Sequence, residues 1–233
     1  MRSAERALAS PSGAGRAALA LLLSALMAAC ADVAGERPNA PATDAATAPK
    51  GAATAAPQKP PLIPDLDNAV IDSFEGGLKA LHEGHLPEAE KIFLALTKAH
   101  PDLGGPHANL GIVYRQSGRL DPAVTELELA VKCNPQQPVY WNQLGIAYRQ
   151  QGQFAKAREA YEHATAIDPG YAAPILNLGI LFDLYLWDSK RALELYDRYL
   201  TLTPGGDAKV AKWVADLKNR TREAKADGRK EKE

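Results

Sequence analysis

Cysteine is nearly absent: Cys30 and Cys133 are the whole complement of 233 residues, which excludes a disulfide framework by count alone. An excess of positive charge is missing as well. Lys plus Arg total 27 against 28 for Asp plus Glu, so no basic field exists to gather nucleic acid. The apolar run Ala17 to Ala29 (AALALLLSALMAA) is too short to span a bilayer comfortably. Motifs of chemistry are lacking too: there is no G-x-S-x-G, phosphate-binding loop, dinucleotide glycine pattern or zinc cysteine pair. These absences point away from an enzyme and from any cofactor. His82-Glu83-x-His85 comes nearest to a metal motif, but it is not H-E-x-x-H and its glycine belongs to a turn, so no metal is expected.

What is present begins with an address. Arg2, Arg6 and Arg16 precede the apolar run, in the manner of a secretory signal. The run closes in Leu26-Met27-Ala28-Ala29-Cys30, which resembles the bacterial lipobox, with Met27 where that motif prefers Leu. The resemblance implies signal cleavage after residue 29, acylation of Cys30 and anchorage to the inner or outer membrane, facing the periplasm. Ala29-Cys30-Ala31 also reads as an A-x-A site, which would instead release a soluble periplasmic protein. A cysteine directly after an apolar run and before a linker has no packing role, which favours the anchor. Residues 30–65 are rich in Ala, Pro and Thr, with Pro38, Pro41, Pro49, Pro57, Pro60, Pro61 and Pro64 blocking helix and central strand alike; they read as a tether.

The strongest signal is a repeat. Gly77, Gly111, Gly145 and Gly179 are each 34 residues apart. Pro101, Pro135, Pro169 and Pro204 keep step with one extra residue in the last interval, as do Ala89, Ala123, Ala157 and Ala192. The third repeat, Trp141-x2-Leu144-Gly145-x2-Tyr148, then Ala157-x3-Tyr161 and Pro169, resembles the tetratricopeptide repeat (TPR). Leu110-Gly111-x2-Tyr114 and Leu178-Gly179-x2-Phe182 repeat it, and the first repeat is weaker, with Ala80 at the tyrosine position.

The resemblance implies an all-α fold: a right-handed superhelix of four helical hairpins at 70–103, 104–137, 138–171 and 172–206, a capping helix at 207–220, and a charged tail at 221–233, read as frayed helix or disorder. Gly and Ala are expected to face one another inside each hairpin, with Phe93, Tyr114, Tyr148, Tyr161, Phe182 and Tyr196 filling the space between hairpins. Turn glycines Gly84, Gly118 and Gly152 are expected in the left-handed conformation, while Leu186-Trp187-Asp188 replaces that turn in the fourth repeat. Cys133 should be a small, half-buried side chain near a helix end.

In the family the first helix of each hairpin lines a concave groove. The resemblance carries that role to Asn109, Ile112, Arg115 and Gln116, to Asn142, Gln143, Ile146, Arg149 and Gln150, and to Asn177, Ile180 and Asp183, with Phe74, Leu78 and Leu81 as an apolar end. Arginine forks suit a carboxylate and amides suit peptide backbone. The chaperone-tail carboxylate clamp is not present, because Phe74, Leu78, Val139 and Gln143 occupy its positions. The expected function is a non-enzymatic scaffold of the cell envelope that binds a protein or peptide, similar to TPR lipoproteins of pilus and secretin assembly. An adaptor or regulator of peptidoglycan enzymes or of an energy-transducing membrane complex fits the same features, and the apolar first hairpin is compatible with a homodimer.

Overall fold

The computed structural model describes residues 67–230, with side chains described through residue 222. The signal segment, Cys30, the tether to residue 65 and the last three residues of the tail lie outside the described residues. Among the described residues there are nine helices and no strand: α1 (Asn68–His82), α2 (Leu86–Ala99), α3 (Gly104–Gln116), α4 (Leu120–Cys133), α5 (Pro138–Gln150), α6 (Phe154–Ile167), α7 (Ala172–Leu184), α8 (Ser189–Leu202) and α9 (Ala208–Lys230). They form four hairpins, α1/α2 to α7/α8. Each second helix packs on the first helix of the next hairpin, α9 packs on α8, and the first helices touch one another along the row α1, α3, α5, α7.

Close packing within a hairpin depends on its glycine. A β-carbon at Gly145 would lie 2.5 Å from the Tyr161 ring, and one at Gly179 or Gly77 would lie 2.8 Å from Tyr196 or Phe93. At Gly111 the neighbours are the Leu127 side chain, at 2.7 Å, and the Ala123 carbonyl. The glycine therefore makes room for the large side chain of its own partner helix. At Gly111 the glycine meets an alanine backbone as expected, whereas Phe93, Tyr161 and Tyr196, expected in the space between hairpins, enter their own hairpin. The ring must enter the hairpin because the second helix is amphipathic and its few large residues, such as Tyr161 and Tyr196, are almost fully buried.

Helix ends follow the prolines. Pro101, Pro135 and Pro169 each come two residues after the last helical residue, as does Pro204, where the backbone can no longer continue its hydrogen bonding. At the junction of the first two hairpins His107 is buried, with Nδ1 2.6 Å from Glu126 Oε2 and Nε2 3.2 Å from the Pro101 carbonyl. Cys133 ends α4, half-buried, its thiol 3.6 Å from that same carbonyl, and burial raises its pKa.

Three hairpins turn through Gly84, Gly118 and Gly152 at φ 77°, 75° and 77°. The residue after each glycine then bonds back into the helix, as Gln153 N–H does to Tyr148 O at 2.9 Å. The fourth turn is one residue longer and puts Trp187 in the left-handed place, at φ 56°. Asp188 N–H closes it on Phe182 O, the register equivalent of Tyr148. Trp187 is 61% exposed.

The cap differs from expectation in length: α9 runs on through residue 220 to Lys230. Arg220 holds Asp183 and Asp216, each at 3.1 Å, at the register where the other first helices stop, and no proline or glycine follows until Gly228. Val210, Val214 and Leu217 are the buried face of α9. Val214 stands 35 residues after Gly179, the register of the hairpin glycine once the extra turn residue is counted. Among the described residues no helix crosses a bilayer length with sufficient apolarity.

Candidate functional site

The first helices α3, α5 and α7 repeat the same face at 34-residue spacing, which aligns side chains in columns across the stack. One column holds Asn109, Gln143 and Asn177; a second holds Ile112, Ile146 and Ile180; a third holds Leu81, Arg115, Arg149 and Asp183. Gln116 and Gln150, at the turn end, are exposed. Asn109, Ile112, Arg115, Asn142, Gln143, Ile146, Asn177, Ile180 and Asp183 are buried, and Arg149 is half-buried. At the apolar end Phe74, Leu78 and Leu81 are half-buried, with Phe74 edge-on to Phe93 at 5.7 Å between ring centroids.

Part of this row is engaged within the molecule. Asn177 Nδ2 donates to Asn142 Oδ1 at 3.0 Å, Asn142 Nδ2 reaches Tyr171 Oη at 3.4 Å, and Asn109 Nδ2 donates to Gly105 O at 2.9 Å. Asp183 accepts from Arg220 on one oxygen and from the Tyr196 hydroxyl, at 3.4 Å, on the other. The acid that continues the arginine column is thus held by the cap helix, and burial together with Asp183 raises the Tyr196 pKa. The amide acceptors Asn109 Oδ1 and Gln143 Oε1 are buried and have no hydrogen-bond partner among the described residues.

The centre of the row is cationic. Arg149 lies against the phenols of Tyr161 and Tyr185, its guanidinium 5.9 Å from the Tyr185 ring centroid. Burial pulls the Arg149 pKa down, but the two phenols outweigh it and the group ends above its ordinary value. Burial pushes the Tyr161 hydroxyl up to about 12, with Arg149 and then Arg115 pulling the other way. Both arginines therefore act on one phenol carried by the opposite helix of the third hairpin. Tyr161, Tyr185 and Arg220 were not among the residues that the sequence offered for this face; Tyr161 read there as packing.

The chemistry available is binding. Arginine, phenol and amide groups on a repeated helix face can hold an extended chain, and nothing in the set pairs a nucleophile with a base. His82, Glu83 and His85 surround the first turn, exposed, with Glu83 3.5 Å from His85 Nδ1. Among the described residues no group of three or more His, Cys, Asp or Glu side chains is placed to hold a metal ion.

Residues 106–137 and 138–171 match two family models of the tetratricopeptide repeat. Residues 106–171 are tetratricopeptide repeats. The chain's TPR fold is shared by PilF of Pseudomonas aeruginosa, at 22% identity over 67% of this chain and 70% of that one, with a TM-score of 0.62. MamA is similar at 21% identity over 64% of this chain and 81% of its own, with a TM-score of 0.57. YrrB, a TPR protein with an unusual peptide-binding site, is similar at 23% identity over 64% and 75% of the two chains, with a TM-score of 0.55. No curated protein sequence matches this one. TPR hairpins supply surface, and the chain is a protein–protein interaction scaffold.

Proposed function

We propose that this TPR protein is a non-enzymatic adaptor of the bacterial cell envelope, acylated at Cys30, tethered by residues 30–65, and binding a segment of another envelope protein along the first-helix face. The observation that carries the reading is the column arrangement of α3, α5 and α7, in which amides, isoleucines and arginines repeat one above another. A chain in extended conformation can meet such columns residue after residue. The fold likeness to YrrB, whose peptide-binding site is part of its description, agrees with a peptide ligand. The order of signal, tether and short repeat domain supports a place in pilus or secretin assembly.

The test is crosslinking and capture from native envelopes with the anchored protein, set beside an Arg115→Glu, Arg149→Glu variant. Recovery of secretin or pilus subunits by the parent alone supports the reading. Recovery of cell-wall enzymes by the parent alone moves the process to peptidoglycan. Identical recovery by both baits sinks the role of this face.

A further inference from the structure

Three of the four hairpins turn on a glycine, and the fourth sets a tryptophan in the same left-handed place. Trp187, at φ 56°, is the one residue other than glycine with positive φ among the described residues. A conformation that L side chains avoid is retained where the side chain it displays has a use. That use is not internal packing. The indole is 61% exposed, makes no hydrogen bond and stacks on no ring among the described residues. Its support is firm: Asp188 N–H closes the turn on Phe182 O at 3.0 Å, and the preceding Tyr185 lies against Phe154 of the third hairpin, 4.7 Å between ring centroids. Half-buried Leu186 completes an apolar tip at the turn end of the stack.

Bases flank this tip. Lys190 and Arg191 follow it in the first turn of α8, and Arg220 of α9 reaches Asp183, four residues before it, at 3.1 Å. Arg222 comes two residues later on α9. Lys190, Arg191 and Arg222 are exposed and form no ion pair among the described residues. Of the nearby acids, Asp188 accepts from Arg191 N–H at 3.0 Å and caps α8, Asp216 binds Arg220 at 3.1 Å, and Glu194 lies a further turn along α8. An anion held point by point needs a cleft with fixed donors. Long exposed bases around an exposed indole instead match a surface whose charges can move to meet them, with an apolar layer beneath. An anionic phospholipid bilayer has both properties: its headgroup level accepts indole rings, and its charge attracts Lys and Arg. We propose that the Leu186-Trp187 tip inserts at the headgroup level of a bilayer containing anionic phospholipid, with Lys190, Arg191 and Arg222 on the lipid phosphates. The inference rests on the envelope reading, in which the acylated Cys30 keeps a bilayer at high local concentration, and adds a second contact with that bilayer.

The full-length protein, purified as its host makes it, is reconstituted with vesicles of phosphatidylcholine alone or with added phosphatidylglycerol, both brominated in the acyl chains. Flotation reads attachment of any kind, and bromine quenching of tryptophan fluorescence reads entry of an indole into the bilayer. Trp187→Gly keeps the left-handed turn and leaves Trp141 and Trp213, the other two of the three tryptophans, as the background. Quenching by the phosphatidylglycerol vesicles is expected in the parent and should fall to that background in Trp187→Gly. The Lys190→Glu, Arg222→Glu double variant should lower it about fivefold or more, one base beside an anionic bilayer being worth about fivefold in partition. Helical circular dichroism checks that both variants fold, and the double variant serves if Trp187→Gly does not. Flotation of the parent without quenching overturns the inference and leaves the anchor standing. Equal quenching by the two kinds of vesicle overturns the anionic bilayer as the ligand. Flotation and quenching that both vanish in Trp187→Gly support the inference and remove the anchor instead. No flotation of the parent overturns both.

Discussion

The Tyr161 ring occupies the space that a side chain on Gly145 would need: a β-carbon there would sit 2.5 Å from Cε1. The ring belongs to the opposite helix of the same hairpin and is fully buried, so it has little room to retreat. Gly145→Ala should therefore destabilise the domain by about 1–3 kcal/mol through overpacking, against a helix-propensity gain of about 1 kcal/mol. Gly76→Ala in α1 is the control. Nothing lies within 4 Å of its added methyl, so it should stabilise by about 0.5–1 kcal/mol. Urea denaturation of the two variants checks the opposite signs.

Trp187 holds a left-handed backbone conformation, which costs a residue with a β-carbon about 1 kcal/mol. Trp187→Gly removes that strain together with a mostly exposed ring. Its urea midpoint should stay at the parent value or rise by the equivalent of up to about 1 kcal/mol, whereas Gly152→Trp in the preceding turn should lower it.

Arg220 ties α9 to the buried carboxylate of Asp183. Arg220→Ala leaves that carboxylate with the Tyr196 hydroxyl alone, a loss of about 1–2 kcal/mol once the partial exposure of the arginine is allowed for. Hydrogen exchange should show α9 opening more readily than α5 or α6 in this variant.

Alkaline stability follows from two phenols. Burial pushes Tyr140 and Tyr161 up to about 12, above the ordinary value of 10. A raised folded-state pKa favours the neutral form, so the contribution is complete below pH 10 and is lost as pH climbs from about 10 to 12. The loss is on the order of 3 kcal/mol per residue. Tyr161→Phe should flatten the stability profile over that window. Denaturant titrations at stepped pH give both quantities.

The repeat was legible because its spacing is carried by residues with a single structural use. Gly111 and Gly145, Pro135 and Pro169 can hold their places only where a helix must come close or end, and α4 and α6 each end two residues before their proline. The direction of the close contact was not legible: sequence spacing places Ala157 and Tyr161 equally well opposite Gly145, and only side-chain volume in three dimensions selects the ring. Pairs between distant helices were hidden for the same reason. His107 meets Glu126, and Asp183 meets Arg220, across 19 and 37 residues with no motif to announce them. Of the proposed face, its columns were visible as periodic residues, but the internal bonding of Asn142, Asn177 and Asp183 and the phenols around Arg149 depend on rotamers that no period encodes.

Val214 occupies the register at which the four hairpins have glycine. A further partner helix docking on α9 as α6 docks on α5 would drive its large side chain into that valine. On α9 the valine therefore fills the space that the partner helix's large side chain takes over each hairpin glycine.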